Sequence, residues 1–509
     1  MLMRSKFQSG LLFALALALG GCKIDLRGAK EASAYRVHEE PVPAIQVPAG
    51  FRVTQVAEGF NYPSSMAWDA QGRLYVLESH TVPIPTLKPK VLRVGPDSVE
   101  EIPWTGDAAP TGGQAVGLAF SGGWLYVSHE EKDGTWGITR FRPDGGATEA
   151  VLRGIPARGD HWINYLLFDR EGNLWFGVGS ATNSGVVSSH DPVNGKWIKK
   201  RPDAHDIACR DLVLTGQVFT DADALASEKG ARARTGVYQS YRHAEATRIP
   251  AEPSCTGALY RLAPGSRSPE LFAWGFRNPV ALAEASDGTI LVGMHGADIR
   301  GTRPVMDDPD AVYRLRKGAW YGWPDFAADL LPITDAKHRP PPNFLSDGRT
   351  ALSFVLDHAA SGLTPPDRSL LVAATEPHAA LGGMTVVPVS GPFSAFAGRL
   401  LLSEMGDFKP TTDAVHPDVH AGFQVESVDT GTGAREVFAR NRGTGAALPA
   451  SVAKLERGFE RPVDVKFGPD GLLYVLDFGL FTATEKSAKV FPKTGKVFRI
   501  EPAVPRPPG

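Results

Sequence analysis

One short pattern of apolar and polar positions recurs along the chain. An alternating apolar run leads into a turn, then into Gly-x-Leu and a second β-rich run. It appears at Met66–Val76, Leu118–Val127, Leu167–Phe176, Ala283–Val292 and Val465–Val475, with a weaker copy at Phe396–Leu402. Alternation with period two predicts half-buried strands, and the Asp and Gly between them predict hairpin turns. A further apolar-Arg-apolar run follows most copies: Val91–Val94, Ile138–Phe141, Leu259–Leu262, Val312–Leu315 and Val497–Ile500. Six copies of a three- to four-strand unit, about 45–50 residues apart where uninterrupted, predict an all-β fold, a six-bladed β-propeller with long inter-strand insertions. The segment from Phe51 to Val56 is placed to pair with the last blade and close the ring, which removes exposed sheet edges.

The propeller is expected over residues 48–502 as a single domain, followed by a short tail at 503–509. Two insertions interrupt it. Residues 181–257 fall inside the third blade, and the Pro-rich stretch 327–370 is expected between blades four and five. The 55 glycines and 41 prolines of the 509 residues suit a chain of many tight turns. Lys and Arg number 54 against 56 Asp and Glu, a net charge of −2, so the basic excess of a nucleic-acid binder is absent.

Arg4 and Lys6 precede an apolar run from Gly10 to Gly21. That run is too short to cross about 30 Å of hydrocarbon as a helix. It fits the h-region of a secretory signal over residues 1–21. Its end, Leu19–Cys22, resembles the bacterial lipobox, which implies a lipidated Cys22 as the mature N-terminus. An ordinary signal peptide with a chance cysteine is the alternative. Residues 22–47 then read as a polar tether. Lys23, where inner-membrane lipoproteins usually carry Asp, leans the expectation to a periplasm-facing lipoprotein of the outer membrane. Cys209 and Cys255 are expected to bridge in an oxidising compartment, with two buried thiols as the alternative. On the chain-entropy model such a bridge contributes about 4 kcal/mol.

The candidate chemistry lies where inner strands begin, since equivalent positions in successive blades converge on one mouth of the central channel. Gly113-Gln114, Asp160-His161, Arg277-Asn278-Pro279 and Arg461 through Asp464 occupy such places. One His, one Gln, an Arg–Asn pair and a second Arg can bind an anionic planar ligand and move a proton. Structural alternatives stand beside each. His161 also suits a hydrogen-bonded channel histidine, Arg277-Asn278 a link between blades, Asp160 a turn, and Arg461 a surface ion pair. Trp320 and Trp323 read as packing, and His378 as a loop histidine.

Those segments, with Gly113–Phe120, Asp160–Phe168, Trp274–Pro279, Asp310–Leu315 and Trp320–Pro324, resemble the soluble quinoprotein glucose/sorbosone dehydrogenases. These are six-bladed propellers that use pyrroloquinoline quinone (PQQ), and the resemblance runs over nearly the whole chain after residue 50. It implies oxidation of an aldose or sugar aldehyde. His161 would be the general base that takes the hydroxyl proton while hydride passes to the quinone. Arg277 would stabilise charge on the quinone oxygen. Gln114, Asp160 and Asn278 would contact the cofactor, and Arg461 would clamp a carboxylate. A Ca²⁺ would bridge PQQ and the carbonyls of Gly296 and Ala297. No Cys-x-x-Cys-His occurs, so electrons would leave to a separate acceptor. The sequence departs from the family at two places. Val463 stands where glucose-oxidising members have a second Arg, and Val372–Gly391 contains no Lys, Phe, Tyr or Trp. These departures favour the alternative, a non-catalytic envelope-anchored propeller that binds carbohydrate or a protein partner. A hydrolase with Ca²⁺ held by channel carboxylates ranks behind both, because few acidic residues start inner strands.

Overall fold

The computed structural model describes residues 35–79, 88–110, 113–443, 448–483 and 488–503. The signal segment, Cys22 and most of the tail lie outside them. Six antiparallel sheets surround a channel, and in each the strands run in order from the channel outward. Blade one is Pro63–Trp68, Leu74–Glu78, Lys90–Val94 and Val99–Ile102. Blade two is Ala115–Ser121, Trp124–Glu130, Trp136–Phe141 and Glu149–Ile155. Blade three is Ile163–Phe168, Leu174–Val178, Ala258–Leu262 and Glu270–Trp274. Blade four is Asn278–Glu284, Ile290–His295, Pro309–Arg314 and Leu371–Pro377. Blade five is Leu381–Val386, Leu400–Glu404, Gln424–Val428 and Arg435–Asn441. Blade six is Pro462–Phe467, Leu473–Asp477, Gly495–Pro502 and Phe51–Phe60. The N-terminal strand therefore closes the ring as expected, pairing Phe51 with Pro502 and Phe60 with Gly495.

The recurring pattern acts through its turns. In blade one Asp69 accepts from the backbone N–H of Gln71 and Arg73 and from the Tyr75 hydroxyl. In blade three Asp169 does the same for Glu171, Asn173 and the Trp175 indole. Gly72 and Gly172 sit at φ 77° and 81°, where a side chain would be strained. The Arg of the third strand faces a Glu directly opposite on the fourth: Arg93 with Glu100, Arg140 with Glu149, Arg261 with Glu270. Such cross-strand pairs favour one register.

Two expectations need correction. Residues 36–46, expected within a tether, add strands to open edges: Arg36–Pro41 pairs with the strand Phe51–Phe60, and Ile45–Gln46 with the strand ending at Asn441. Val42 and Ile45 are buried between blades five and six, so this segment covers edges that would otherwise expose apolar surface. The Pro-rich insertion lies inside blade four rather than after it, because Leu371–Pro377 returns to pair with Pro309–Arg314. The insertion of blade three lies where expected, between Val178 and Ala258.

One side chain closes the channel below the mouth. Tyr165, on the inner strand of blade three, places its hydroxyl 2.8 Å from the Ser64 carbonyl of blade one and 2.5 Å from the Val463 carbonyl of blade six. The ring is buried and spans the axis.

Candidate active site at the channel mouth

The end of the second strand of blade three runs into Gly179–Ser184, a stretch of small and polar residues that is wholly buried. Ser180 organises its surroundings. Its carbonyl accepts from His161 Nδ1 at 2.8 Å, and its N–H donates to the Arg277 carbonyl at 2.7 Å. A carbonyl can only accept, so the His161 proton sits on Nδ1 and Nε2 keeps its lone pair. Nε2 has no hydrogen-bond partner among the described residues. Burial, and then the guanidinium charges of Arg277 and Arg300, hold His161 well below its ordinary 6.5. It is a neutral imidazole with one basic nitrogen.

Gly179 lets His161 and Asn278 approach. A Cβ there would lie 2.3 Å from His161 Cβ and 2.9 Å from Asn278 Oδ1. Asn278 bridges blades by accepting from Asn164 at 2.8 Å and meeting His295 at 3.1 Å. The structure thus brings His161, Arg277 and Asn278 together, as the sequence predicted.

Behind them lies a chain of buried ions. Arg277 bonds Asp298 at 2.7 Å and Asn183 at 2.9 Å. Arg300 bonds Asp298 at 2.8 Å, Asp160 at 2.7 Å and Asp191. Asp298 continues to His378 Nδ1 at 3.4 Å, and Lys409 bonds Asp413 on the far side of His378. Burial opposes ionisation of Asp298, but Arg277, Arg300 and His378 outweigh it and hold its carboxyl well below the usual range. Burial likewise pulls His378 down, and Asp298, Asp413 and Asp310 reverse this, so His378 is raised. Burial pushes Asp160 up to about 6 despite Arg300. With His378 protonated, Arg277, Arg300, His378 and Lys409 face Asp160, Asp191, Asp298 and Asp413, four charges against four.

Gln114 and Arg461 hold matching positions in blades two and six. The Gln114 carbonyl accepts from Glu130, the last residue of the second strand, and the Arg461 carbonyl from Phe478, just after it, as Trp162 does from Gly179. The Gln114 amide nitrogen is buried without a partner among the described residues. Arg461 is buried and donates to the carbonyls of Met405, Gly406 and Asp407 at 2.8–3.2 Å. Its guanidinium packs on Phe408, Phe423 and Phe481. It makes no ion pair among the described residues, and burial pulls it down to about 10. No hydrogen bond links Gln114 or Arg461 to the His161 group. Val463 lies in an apolar cluster with Met66, Met405 and Leu476.

Gly296 and Ala297 direct their N–H groups to Asp310 and Asp308, and their carbonyls accept no hydrogen bond from the described residues. Free carbonyls of this kind are hard oxygen donors suited to Ca²⁺. Among the described residues no group of three or more His, Cys, Asp or Glu is arranged to hold a metal ion. The bridge between Cys209 and Cys255 is present, with Cα atoms 5.1 Å apart, inside the insertion of blade three.

Sequence reasoning missed Ser180, Asn183, Asp191, Asp298, Arg300 and Lys409, and read His378 as a loop residue. A signal existed for some. Asp298 and Arg300 follow the strand end at His295 within five residues, and Gly179–Ser184 is conspicuously polar for a segment leaving a core strand.

Fold and site together define a six-bladed propeller with a polar, proton-accepting channel mouth. No protein-family model and no curated protein matches the chain. Among solved structures it is similar to the PQQ-bound aldose sugar dehydrogenase of Streptomyces coelicolor, 16% identical over 90% of this chain and 99% of that one, with TM-score 0.47. It is also similar to the soluble aldose sugar dehydrogenase of Escherichia coli in its apo form, 14% identical over 89% and 99%, with TM-score 0.49. The PQQ domain of pyranose dehydrogenase from Coprinopsis cinerea is 14% identical over 90% and 97%, with TM-score 0.49. At these values the likeness assigns no residue a role, and the roles below rest on the geometry.

Proposed function

We propose that the channel mouth binds PQQ with Ca²⁺ and oxidises an aldose or sugar aldehyde, in a chain anchored at the bacterial envelope through Cys22. The carrying observation is His161, whose Nδ1 is committed to the Ser180 carbonyl while Nε2 stays basic beside Arg277. Two groups fit an anionic cofactor: the buried guanidinium of Arg461, which makes no direct ion pair among the described residues although Asp407, Asp477 and Glu460 favour its charge, and the Gln114 amide nitrogen, which has no partner among those residues. The carbonyls of Gly296 and Ala297 would hold the Ca²⁺. Bound there, PQQ would supply the two-electron acceptor for hydride from the sugar carbon. His161 Nε2 would take the hydroxyl proton from that carbon's oxygen. Asn278, fixed by Asn164 and His295, would hold ligand position, and Tyr165 would keep water from entering below. Replacing His161 by Ala should lower dye-linked sugar oxidation by about 10²–10⁴-fold. Activity within a few-fold of the parent would remove His161 from the mechanism.

One observation favours the second reading, a pocket that binds carbohydrate without turnover. Arg277 and Arg300 already spend their charge on Asp298, Asp160 and Asp191. That leaves Arg461 alone for a tricarboxylate.

A further inference from the structure

The described chain begins at a defined place on the propeller. The Tyr35 hydroxyl donates to Glu78 at 3.0 Å, and its ring lies against Phe60 and beneath Lys493. Glu78 ends the second strand of blade one and pairs with Pro63, as Val178 ends that of blade three and pairs with Ile163. The next residue matches too: Ser79 N–H donates to the Tyr62 carbonyl as Gly179 N–H does to Trp162. Lys493 donates its N–H to Asn61 in the same rim. Tyr35 is therefore fastened to the rim that carries His161 and Ser180, at the seam between blades six and one.

From this we infer that the anchored protein holds its channel mouth toward the lipid bilayer. The inference rests on the lipid-anchor half of the proposed function and not on the dehydrogenase half. Thirteen residue steps separate Cys22 from Tyr35, a contour of at most about 45 Å. Seating the opposite face on the membrane would send that chain back past the blade. A six-residue inner strand alone uses about 20 Å of it before any turn is counted. With the mouth facing the membrane, the whole contour is available. The mouth face also carries Val419 and Val452, which are exposed in the loops that follow the second strand and the outer strand of blade five. A sugar or an electron acceptor would then reach the site from the gap between propeller and bilayer.

The test uses the full lipidated chain in phosphatidylethanolamine–phosphatidylglycerol vesicles that carry a rhodamine headgroup acceptor. A donor dye is placed on Val452→Cys, on the mouth face, or on Val389→Cys, at a hairpin tip of the opposite face. With Cys209 and Cys255 bridged, the introduced thiol is the one to label. Energy transfer should be about twofold or more higher from position 452, as expected for a short tether on that face. Equal or reversed transfer from vesicle-bound protein would overturn the orientation. Flotation that is unchanged in Cys22→Ala, with no fatty-acid label incorporated, would overturn it through its premise. That second result leaves sugar oxidation by the propeller untouched.

Discussion

The two halves of the channel mouth solve the burial of charge differently. On the side of blades three and four, Arg277 and Arg300 near His161 each have a carboxylate partner, and the chain of ions runs from Asp160 through Asp298 and His378 to Asp413 and Lys409 in a loop of blade five. On the side of blades five and six, Arg461 rests on carbonyls and aromatic faces and makes no direct ion pair among the described residues, while Asp407, Asp477 and Glu460 favour its charge without bonding it. A compensated network fixes geometry, which a proton-transferring residue needs. A desolvated guanidinium without a direct ion pair costs stability until an anion meets it. The first side is held by direct ion pairs, and the second leaves its guanidinium on carbonyls and aromatic rings.

The sharpest way to break the comparison is to remove one cation from each side. Arg300→Ala would take the shared guanidinium from the buried carboxylates of Asp160, Asp191 and Asp298, of which Asp298 keeps Arg277 and His378, and should cost roughly 3–5 kcal/mol in denaturant unfolding. Arg461→Met should cost much less, because the groups it bonds directly are carbonyls and no ion pair is broken. Equal losses would mean that the two sides do not differ.

Tyr165 joins the sides, reaching from blade three to blades one and six. Tyr165→Phe deletes the shared donor and should destabilise by about 1–3 kcal/mol, read by the same unfolding experiment. No change would mean that water replaces the hydroxyl and the channel floor is wet.

The smallest effect is expected from pH. His161 is held well below 6.5 in the folded protein, so its Nε2 stays unprotonated until pH falls well under that value. Between pH 7.5 and 6, kcat/KM should change by no more than about twofold on account of this base. An acid limb with its midpoint near 6.5 would show an ordinary histidine and a misplaced role.

Much of the fold was legible because its signals are local. Asp69, Gly72 and Tyr75, or Asp169, Gly172 and Trp175, fix a hairpin within seven residues. Ring closure by Phe51 was legible because an unpaired apolar strand at one end needs an edge at the other. The strand Arg36–Pro41 was not, since a Pro-containing polar segment pairs only when an edge is offered, and that edge is formed by distant residues. The insertion in blade four was misplaced for a similar reason: Leu371–Pro377 declares its partner only in three dimensions. In the site, His161, Arg277 and Asn278 were legible because they stand where inner strands begin. Arg300 and Asp298 come from a loop after a strand, and Asn183 and Asp191 from the insertion of blade three. No periodicity marks such positions, so only their burial and mutual pairing reveal them.

The central claim, that this mouth is a cofactor site with Arg461 as its anion contact, is tested most directly by calorimetric titration of the mature protein with PQQ in Ca²⁺. Micromolar or tighter binding that needs Ca²⁺ and weakens by about 10–100-fold in Arg461→Gln is the predicted result. Absence of binding at millimolar Ca²⁺, or binding indifferent to Arg461, would contradict the account and leave the propeller as a carbohydrate-binding module.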